Sequence, residues 1–334
     1  MLRRFESYGF AADAAPDAQA ELARVLRETG RYIPEVLDSA VGRNRSDAAI
    51  DLVWEHAYER PDAYARYMCH PFHVCVLDRF LLPENPECIT ASRRGLALGL
   101  FGYEVDGAPF RATAGVRRVV AMRADPAASR EEVDRFVASL WGRAERVAGA
   151  TVSVAAPNSM GLEWFPDGWT HVWEQAFADE GAMQASLADE TALLETGPMG
   201  RWVDLWYAIE PGPTDDGHRD DATDARDVSA GPVLMVDTVT VAPDDAPGYV
   251  DGFERLYLRG ARRRGLELVA CWQTPAGIGE DVTVTTVLDV GTWAEWERAR
   301  NAAVADADVG EWIALRRTMM RSGRRRFVTD ALRR

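Results

Sequence analysis

The segment VWEHAY at residues 53–58 returns as VWEQAF at residues 172–177, and this repeat decides the fold. Upstream of the first copy lies LRRF (2–5), and upstream of the second lies the similar VRRV (116–119). The longer segments alternate large and small side chains, which is typical of strands. Because the two strand-like segments recur in the same order, the sequence predicts tandem copies of one folding unit.

An amphipathic helix is predicted after the first strand of each copy. In the second copy, Ser129 and Glu132 form a capping box, which marks a helix start. Apolar residues then recur with helical spacing at Val133, Phe136, Val137, Leu140 and Trp141. The first copy has a weaker version of this pattern in AELARVL (20–26).

A third and more diverged copy follows the first two. Its strand-like segments are PVLMVDTVTV (232–241) and DVTVTTVLDV (281–290). Between them, Tyr249, Phe253, Leu256 and Tyr257 form one helical stripe. Each copy therefore follows the order β-α-β-β-α-β, the ferredoxin-like pattern.

The predicted fold class is α+β, with three tandem ferredoxin-like modules. A sheet with both helices on one face leaves its other face bare, and two such faces can cover each other in a barrel. We expect the first two modules to close such a barrel within the chain. The modules are assigned to residues 1–110, 111–212 and 232–334, and the acidic, apolar-poor segment 213–231 is predicted to be a flexible linker.

The third module is left without a partner in the chain. Its open sheet predicts a homodimer in which the third modules of two chains pair across a two-fold axis. The alternative is that the chain termini cover this sheet.

Composition limits the cellular context. No apolar run is long enough for a transmembrane helix, and the N-terminal MLRRFESYGF lacks the apolar core of a signal peptide. The four cysteines show neither CxxC pairing nor zinc-site spacing, so we expect reduced thiols in a cytoplasmic protein without membrane contact.

Charge excludes further classes of function. A net charge of −15 argues against nucleic-acid binding, which needs a basic face. All 38 basic residues are arginines, so lysine Schiff-base chemistry and a lysine-containing phosphate loop are impossible. No GxGxxG motif precedes a helix, and a dinucleotide-binding fold has no support.

The stretch YARYMCHPFHV (64–74) is the candidate site, because it carries two of the five histidines on either side of a proline. A helix is predicted from Arg60 to Cys69, and Pro71 should break it and start a new helical segment. Tyr67 would then lie near the end of one helix and His73 in the first turn of the next. A histidine can act as a general base, and a nearby tyrosine can protonate a carbonyl or stabilise an enolate.

The strand VWEHAY should contribute the rest of the site. Alternation places its aromatic residues and His56 on one face, and we expect this face to line the barrel lumen, with Glu55 beneath the helices. The second copy has the same register, so His56 and His171 could line one cavity. The predicted substrate-binding residues are Trp54, His56, Tyr58, His70, His171 and Trp173.

Two other interpretations of the histidines stay open. The residues of the YARYMCHPFHV stretch could be polar caps of a helix junction. A metal site, including haem, could use His56, His70 and His73, but no neighbouring carboxylates facing the same way are evident. We predict no metal and no cofactor.

The segment from VWEHAY through HPFHV to Phe80 resembles the stress-responsive A/B-barrel (Dabb) family of the dimeric α+β barrel superfamily. The motif-level match covers residues 45–80 or so, and the third module is similar only to more distant branches. One member of this family is a polyketide cyclase with a catalytic tyrosine and a catalytic histidine. The resemblance implies that these two residues correspond to Tyr67 and His73, and that His70 is a structural histidine. The second module departs from the motif, with Ser186, Asp189 and Ala192 in these places, so the resemblance confines such chemistry to the first module.

Three functions follow as hypotheses. The first is a cofactor-independent acid/base enzyme of the cyclase or lyase type, in which Tyr67 and His73 act on a small hydrophobic or aromatic, carbonyl-rich molecule such as a polyketide. The second is an anthrone-type oxygenase on the same fold. The third is a non-catalytic, stress-associated binding or oligomerisation protein whose barrels are filled by side chains.

Overall fold

A computed structural model of the chain describes residues 1–83, 85–91, 99–105, 115–143, 147, 149–159, 168–211, 232–303 and 306–329. Among these residues the strands form three antiparallel sheets, and each sheet belongs to one copy of the β-α-β-β-α-β pattern. The predicted fold class of tandem ferredoxin-like modules is therefore confirmed. The predicted linker at 213–231, with His218, lies outside the described residues.

The first module has an interrupted second helix. Its strands pair in the order β4-β1-β3-β2, with β1 and β3 in the centre of the sheet. In chain order, its elements are β1 (Leu2–Tyr8), α1 (Pro16–Tyr32), β2 (Val36–Arg43), β3 (Leu52–Tyr58), α2 (Pro61–Met68), a π-helical turn π1 (His73–Leu77), α3 (Asp78–Leu81) and β4 (Gly99–Glu104).

The second module repeats this plan with an uninterrupted second helix. Its elements are β5 (Val116–Ala124), α4 (Arg130–Leu140), β6 (Ala150–Pro157), β7 (His171–Phe177), α5 (Glu180–Thr196), β8 (Met199–Ala208) and the short β9 (Glu210–Pro211). The sheet order is β6-β7-β5-β8. The Ser129–Glu132 capping box is confirmed at the start of α4. Trp141 instead lies beyond the end of this helix and is exposed, so it does not extend the buried stripe.

The third module has a π-helical turn in its first helix. The predicted stripe of Tyr249, Phe253, Leu256 and Tyr257 is buried, as expected. The sheet order is β11-β12-β10-β13. Its elements are β10 (Val233–Val241), α6 (Ala246–Gly252), π2 (Phe253–Leu258), α7 (Arg259–Arg263), β11 (Glu267–Gln273), β12 (Val282–Gly291), α8 (Trp293–Ala303), α9 (Ala307–Met319) and β13 (Met320–Thr329).

The sheets of the first two modules close a barrel, as predicted. At one seam β9 pairs with β2, and the Arg45 amide donates to the Trp206 carbonyl at 2.9 Å. At the other seam the Gly102 amide donates to Asn158 Oδ1 at 3.1 Å. Apolar residues of both sheets fill the space between them; they include Phe5, Val53, Val119, Val172 and Leu205.

The described residues pack into two compact units, whose limits differ from those of the sequence modules. One unit comprises the described residues within Met1–Tyr64 and Leu96–Arg219, and the other comprises those within Ala65–Gly95 and Asp220–Arg334. The segment after Tyr64 thus groups with the third module, because Val74 belongs to that module's apolar core and Cys69 and Cys75 pack against it.

Candidate functional site

The YARYMCHPFHV stretch forms the predicted helix break. Helix α2 ends at Met68, and the Cys69 and His70 amides close its last turns by donating to the Arg66 and Tyr67 carbonyls. A second helical segment follows Pro71, because a proline cannot continue the preceding helix but can start a new one. That segment contains π1, a type of turn that is frequent at functional sites.

Tyr67 and His73 lie against each other across this break. Their ring centroids are 4.4 Å apart and the ring planes are inclined by 60°. Both side chains are buried, with exposed fractions of 1% and 5% for the two residues. The structure thus brings together the two residues that the sequence singled out as an acid/base pair.

His70 caps the junction. Its Nδ1 accepts a hydrogen bond of 3.1 Å from the Phe72 amide, a donor in the first turn of the new helical segment. This interaction fits the structural role that the family resemblance implies for His70.

The cysteines beside the break are thiols in the neutral form. Burial, reinforced by the hydrogen bond to Glu297, raises the pKa of Cys69 to about 12. Burial also raises the pKa of Cys75 to about 12, with a contribution from Asp78. A thiolate nucleophile is therefore disfavoured at neutral pH, and the titratable chemistry of this segment falls to other groups.

Sequence reasoning missed two charged residues next to His73. Nε2 of His73 lies 3.8 Å from Oδ1 of Asp78, and Oδ2 of Asp78 is ion-paired with Nη1 of Arg300. Asp78 carries no signal in the sequence, because residues five apart face away from each other in an α-helix and only the π turn brings Asp78 toward His73. Arg300 carries none, because it lies in α8 of the third module and the contact depends on the tertiary fold.

The predicted face assignment of VWEHAY is wrong, and the tryptophans show why. The Trp54 indole N–H donates to Ser39 Oγ at 2.8 Å, and Ser39 donates to the Leu26 carbonyl of α1. In the second module Trp173 donates to Ser153, which donates to the Leu140 carbonyl of α4. Each tryptophan therefore faces the helices, where its large ring is buried and its N–H has a partner.

The barrel lumen instead contains the glutamates of the repeat. Arg3 pairs with Glu174 at 2.7 Å and Arg117 pairs with Glu55 at 3.0 Å, so each arginine reaches across to the other sheet. Tyr207 donates to Glu55 at 2.9 Å, and Tyr103 makes the equivalent bond to Glu174. Burial alone would raise the pKa of Glu55, but the Arg117 and Arg3 guanidinium groups hold it below its ordinary value.

His56 lies in a buried polar cluster on the helix-facing side of the first sheet. Its Nδ1 shares a hydrogen bond of 2.8 Å with the Tyr58 hydroxyl, and its Nε2 lies 3.4 Å from Glu6. The Trp54 ring stacks on the imidazole at 3.8 Å. Burial lowers the pKa of His56 to about 4, so the imidazole is neutral at pH 7. Burial opposes the charge of Glu6, but Arg4 brings the pKa of this carboxyl down to about 2.

His171 does not share a cavity with His56 in the barrel lumen. It follows the register of Trp173 on the helix-facing side of its own sheet, is half-buried, and shares a hydrogen bond of 2.8 Å with Thr170. Burial lowers its pKa. The cavity expected from these two histidines rested on the wrong face assignment.

A cleft of about 360 Å³ opens in the unit that contains the third module. Arg264 and Arg298 line it together with Glu267, Asp289 and Glu295. Two of the carboxylates bind backbone amides nearby, Asp289 that of Gly291 and Glu295 that of Thr292. None of the sequence-predicted site residues lines this cleft.

The described residues offer neither a metal cluster nor a membrane-spanning helix. These residues contain no group of three or more His, Cys, Asp or Glu side chains placed to hold a metal ion. Within the same part of the chain, no helix combines the length and the apolar content needed to cross a bilayer.

No protein-family model matches the sequence, and no curated protein matches it. Similar solved structures include an anthrone oxidase-like protein, at 14% identity over 63% of this chain and 91% of that chain with a TM-score of 0.43. A NIPSNAP domain protein from Burkholderia xenovorans is similar at 13% identity over 30% and 97% of the two chains, with a TM-score of 0.27. Chlorite dismutase from Candidatus Nitrospira defluvii, in complex with imidazole, is similar at 13% identity over 63% and 91%, with a TM-score of 0.40.

Proposed function

We propose that the protein is a cofactor-independent acid/base enzyme of the cyclase or lyase type, acting on a small, hydrophobic, carbonyl-rich molecule such as a polyketide. The observation that carries the proposal is the contact between the Tyr67 and His73 rings, 4.4 Å apart, at the helix break of the first module. A base and a proton donor at this separation can both reach one enolisable carbonyl group.

The proposed reaction divides the two roles. His73 removes a proton from the carbon next to a carbonyl, and the electron pair moves onto the carbonyl oxygen as an enolate. The Tyr67 hydroxyl donates a hydrogen bond to that oxygen and stabilises its charge. The enolate carbon then attacks a second carbonyl of the same molecule, and the new alkoxide takes up the proton.

Burial of the pair shapes how a substrate would reach it. Both side chains are almost fully enclosed, so entry requires a neighbouring segment to move. Once closed, the same enclosure excludes water, which strengthens the interaction between the developing oxyanion and its hydrogen-bond donor.

A second candidate function is a non-catalytic binding or oligomerisation protein, and one observation favours it. The barrel of the first two modules is filled by its own side chains, both apolar and ionic. In this alternative, Tyr67 and His73 contribute only to the packing of the helix break.

We also propose that the third modules of two chains pair as a homodimer. On β11 and β13, Trp272 and Val328 lie on the sheet face opposite the helices, and both are exposed, Trp272 by 61%. The corresponding faces of the first two sheets bury each other within one chain, which makes a second copy the expected partner. Trp272→Glu should yield a monomer in sedimentation velocity, whereas an unchanged molecular mass would contradict the pairing.

The catalytic proposal is tested by incubating the purified protein with a panel of linear, hydrophobic β-polyketone esters and with anthrone. Conversion of each probe and uptake of oxygen are measured together in an oxygen-electrode chamber. We expect a polyketone to be cyclised or cleaved without oxygen uptake, and His73→Gln to lower the rate at least about 100-fold. Tyr67→Phe should lower it as well. Tyr249→Phe is the matched control, because Tyr249 is equally buried but packs against Trp312 instead of a histidine.

The same experiment separates the alternatives. Oxygen consumption with anthrone that depends on His73 would replace the cyclase proposal by an oxygenase. The non-catalytic function would be favoured if no probe is turned over and if His73→Gln and Tyr67→Phe are only modestly less stable than wild type.

A further inference from the structure

Among the described residues, polar contacts join the segment that contains Tyr67 and His73 to the third module. Asp78 is ion-paired with Arg300, and Arg316 donates to the Pro83 carbonyl at 3.2 Å. The Cys69 thiol donates to Glu297 at 2.9 Å. The partners from the third module lie more than 200 positions away in the sequence, and both α8 and α9 contribute. The third module therefore supports the segment that carries the proposed acid/base pair.

The π-helical turn determines what His73 faces. The Asp78 amide donates to the His73 carbonyl, which closes the wider i to i+5 turn. In an α-helix, residues five apart point about 140° away from each other. The π turn brings the two side chains toward the same side, and Nε2 of His73 lies 3.8 Å from Oδ1 of Asp78.

Arg300 occupies the other oxygen of the same carboxylate. Its Nη1 pairs with Oδ2 of Asp78, and all three side chains of this series are buried. A buried ion pair of this kind contributes little net stability because desolvation costs offset its attraction. It does fix geometry, since Arg300 holds the carboxylate with its remaining oxygen 3.8 Å from Nε2 of the imidazole.

We infer that Arg300 of the third module, acting through Asp78, is a positioning residue for His73. The carboxylate favours the tautomer of His73 with its proton on Nε2, because Nε2 faces Asp78. The lone pair then lies on Nδ1, which becomes the nitrogen that accepts the substrate proton. The inference deepens the proposed function and rests on it for its catalytic meaning, but the tautomer itself can be measured without any substrate.

The test is nitrogen-15 NMR of the imidazole groups in histidine-labelled protein. The His73 signals are identified as those missing from His73→Gln. We expect wild type to show His73 with the proton on Nε2, and both Asp78→Asn and Arg300→Met to shift it toward a mixture of tautomers. Arg300→Lys keeps the positive charge and should restore most of the wild-type spectrum.

The control removes a different ion pair from the same unit. Asp237 and Arg325 are joined by two bonds of 2.7 and 2.6 Å and are also buried. Asp237→Asn should therefore destabilise the protein comparably without changing the His73 signals. If either single variant at Asp78 or Arg300 fails to fold, the double variant Asp78→Asn/Arg300→Met removes both charges and leaves neither buried alone.

Activity provides the second measurement, with the polyketone ester that wild type converts. Asp78→Asn and Arg300→Met should lower kcat about tenfold or more and leave KM within about twofold, because substrate binding is not their role. A His73 tautomer that is not Nε2–H in wild type, or that stays the same in these variants, would overturn the inference. If the tautomer shifts as expected but no probe is turned over, the positioning stands and the proposed enzyme function fails.

Discussion

The first two modules share their sheets and differ in their second helix. Equivalent positions carry the same cross-barrel ion pairs and the same tryptophan–serine–carbonyl chain; these pairs of residues are Arg3 and Arg117, Glu55 and Glu174, Tyr103 and Tyr207, Trp54 and Trp173, and Ser39 and Ser153. Helix α5 runs without a break, whereas its counterpart is split into α2, π1 and α3. The repeat is thus preserved in structure where it builds the barrel and broken where it carries Tyr67 and His73.

The residue two positions after the strand tryptophan, which faces the helices, also differs between the two modules. Gln175 in the second module is held by Arg118 at 3.1 Å and by Glu190 of α5 at 2.7 Å. Its counterpart His56 instead joins Tyr58 and Glu6 in the first module. A continuous helix provides polar partners from its own side chains, so the module closes on itself. In the first module, where the helix is broken, strand residues provide the polar partners of His56. The segment after Tyr64 packs with the third module instead.

The largest expected effect tests the symmetry of the barrel. Glu55→Gln and Glu174→Gln each leave a buried arginine without its full counter-charge, so each should lower the free energy of unfolding by about 3 to 5 kcal/mol. Urea unfolding at pH 7 measures both. Nearly equal losses would support two equivalent sites, and an unaffected variant would show that the two ion pairs are not equivalent.

The next largest expected difference in stability is between a proline introduced into the unbroken helix α5 and the loss of Pro71 at the helix break of the first module. Ser186→Pro places a proline inside α5 and should cost about 3 kcal/mol or more. Pro71→Ala, at the existing break of the first module, should cost less than about 1 kcal/mol. A large loss for the alanine variant would mean that Pro71 itself holds the junction together.

Acid should affect the first module through His56. Its pKa is about 4 in the folded protein and higher when unfolded, so the unfolded chain binds more protons between these values. Stability is therefore full above about pH 6.5 and falls by about 1 kcal/mol per pH unit toward pH 4. Glu6, with its pKa of about 2, adds a second loss below about pH 4.5.

His56→Gln separates these two windows. It introduces the residue of the second module and should flatten the dependence between pH 6.5 and pH 4 while leaving the loss at lower pH. Urea titrations at a series of pH values test this. An unchanged slope in the upper window would show that another group titrates there.

The smallest effect again compares equivalent sites. Ser39→Ala and Ser153→Ala each remove the hydroxyl that links a tryptophan N–H to a helix carbonyl. Each should lower the free energy of unfolding by about 1 kcal/mol, as for a single buried hydrogen bond. If the losses in the two variants differ by well over about 1 kcal/mol, other contacts hold one of the two helices in place.

The sequence was sufficient for the modules and for the helix break, because both depend on local signals. Repeated strands, the Ser129 capping box and Pro71 each act within a few residues of the chain. The faces of the strands were predicted wrongly, since alternation defines two faces but does not say which one is the lumen. Glu55 fits a barrel interior because Arg117 of the other module lies opposite it, and spacing within one strand does not indicate that partner.

The contacts that surround His73 could not be predicted from local sequence patterns, for a different reason. Asp78 faces His73 only because the chain adopts a π turn, and no residue of that turn indicates it in the sequence. Arg300 comes from the third module, and the contact exists only after the segment following Tyr64 has packed there. Long-range packing of this kind has no counterpart in spacing or composition.

The most direct test of the central claim is exchange of the protons on C2 of ethyl 3-oxooctanoate in heavy water, followed by proton NMR above the buffer background. Acid/base chemistry at Tyr67 and His73 predicts faster exchange with wild type and with Tyr249→Phe, and a loss of at least about 100-fold with His73→Gln. Exchange at the same rate in wild type and His73→Gln would contradict the assignment of His73 as the base.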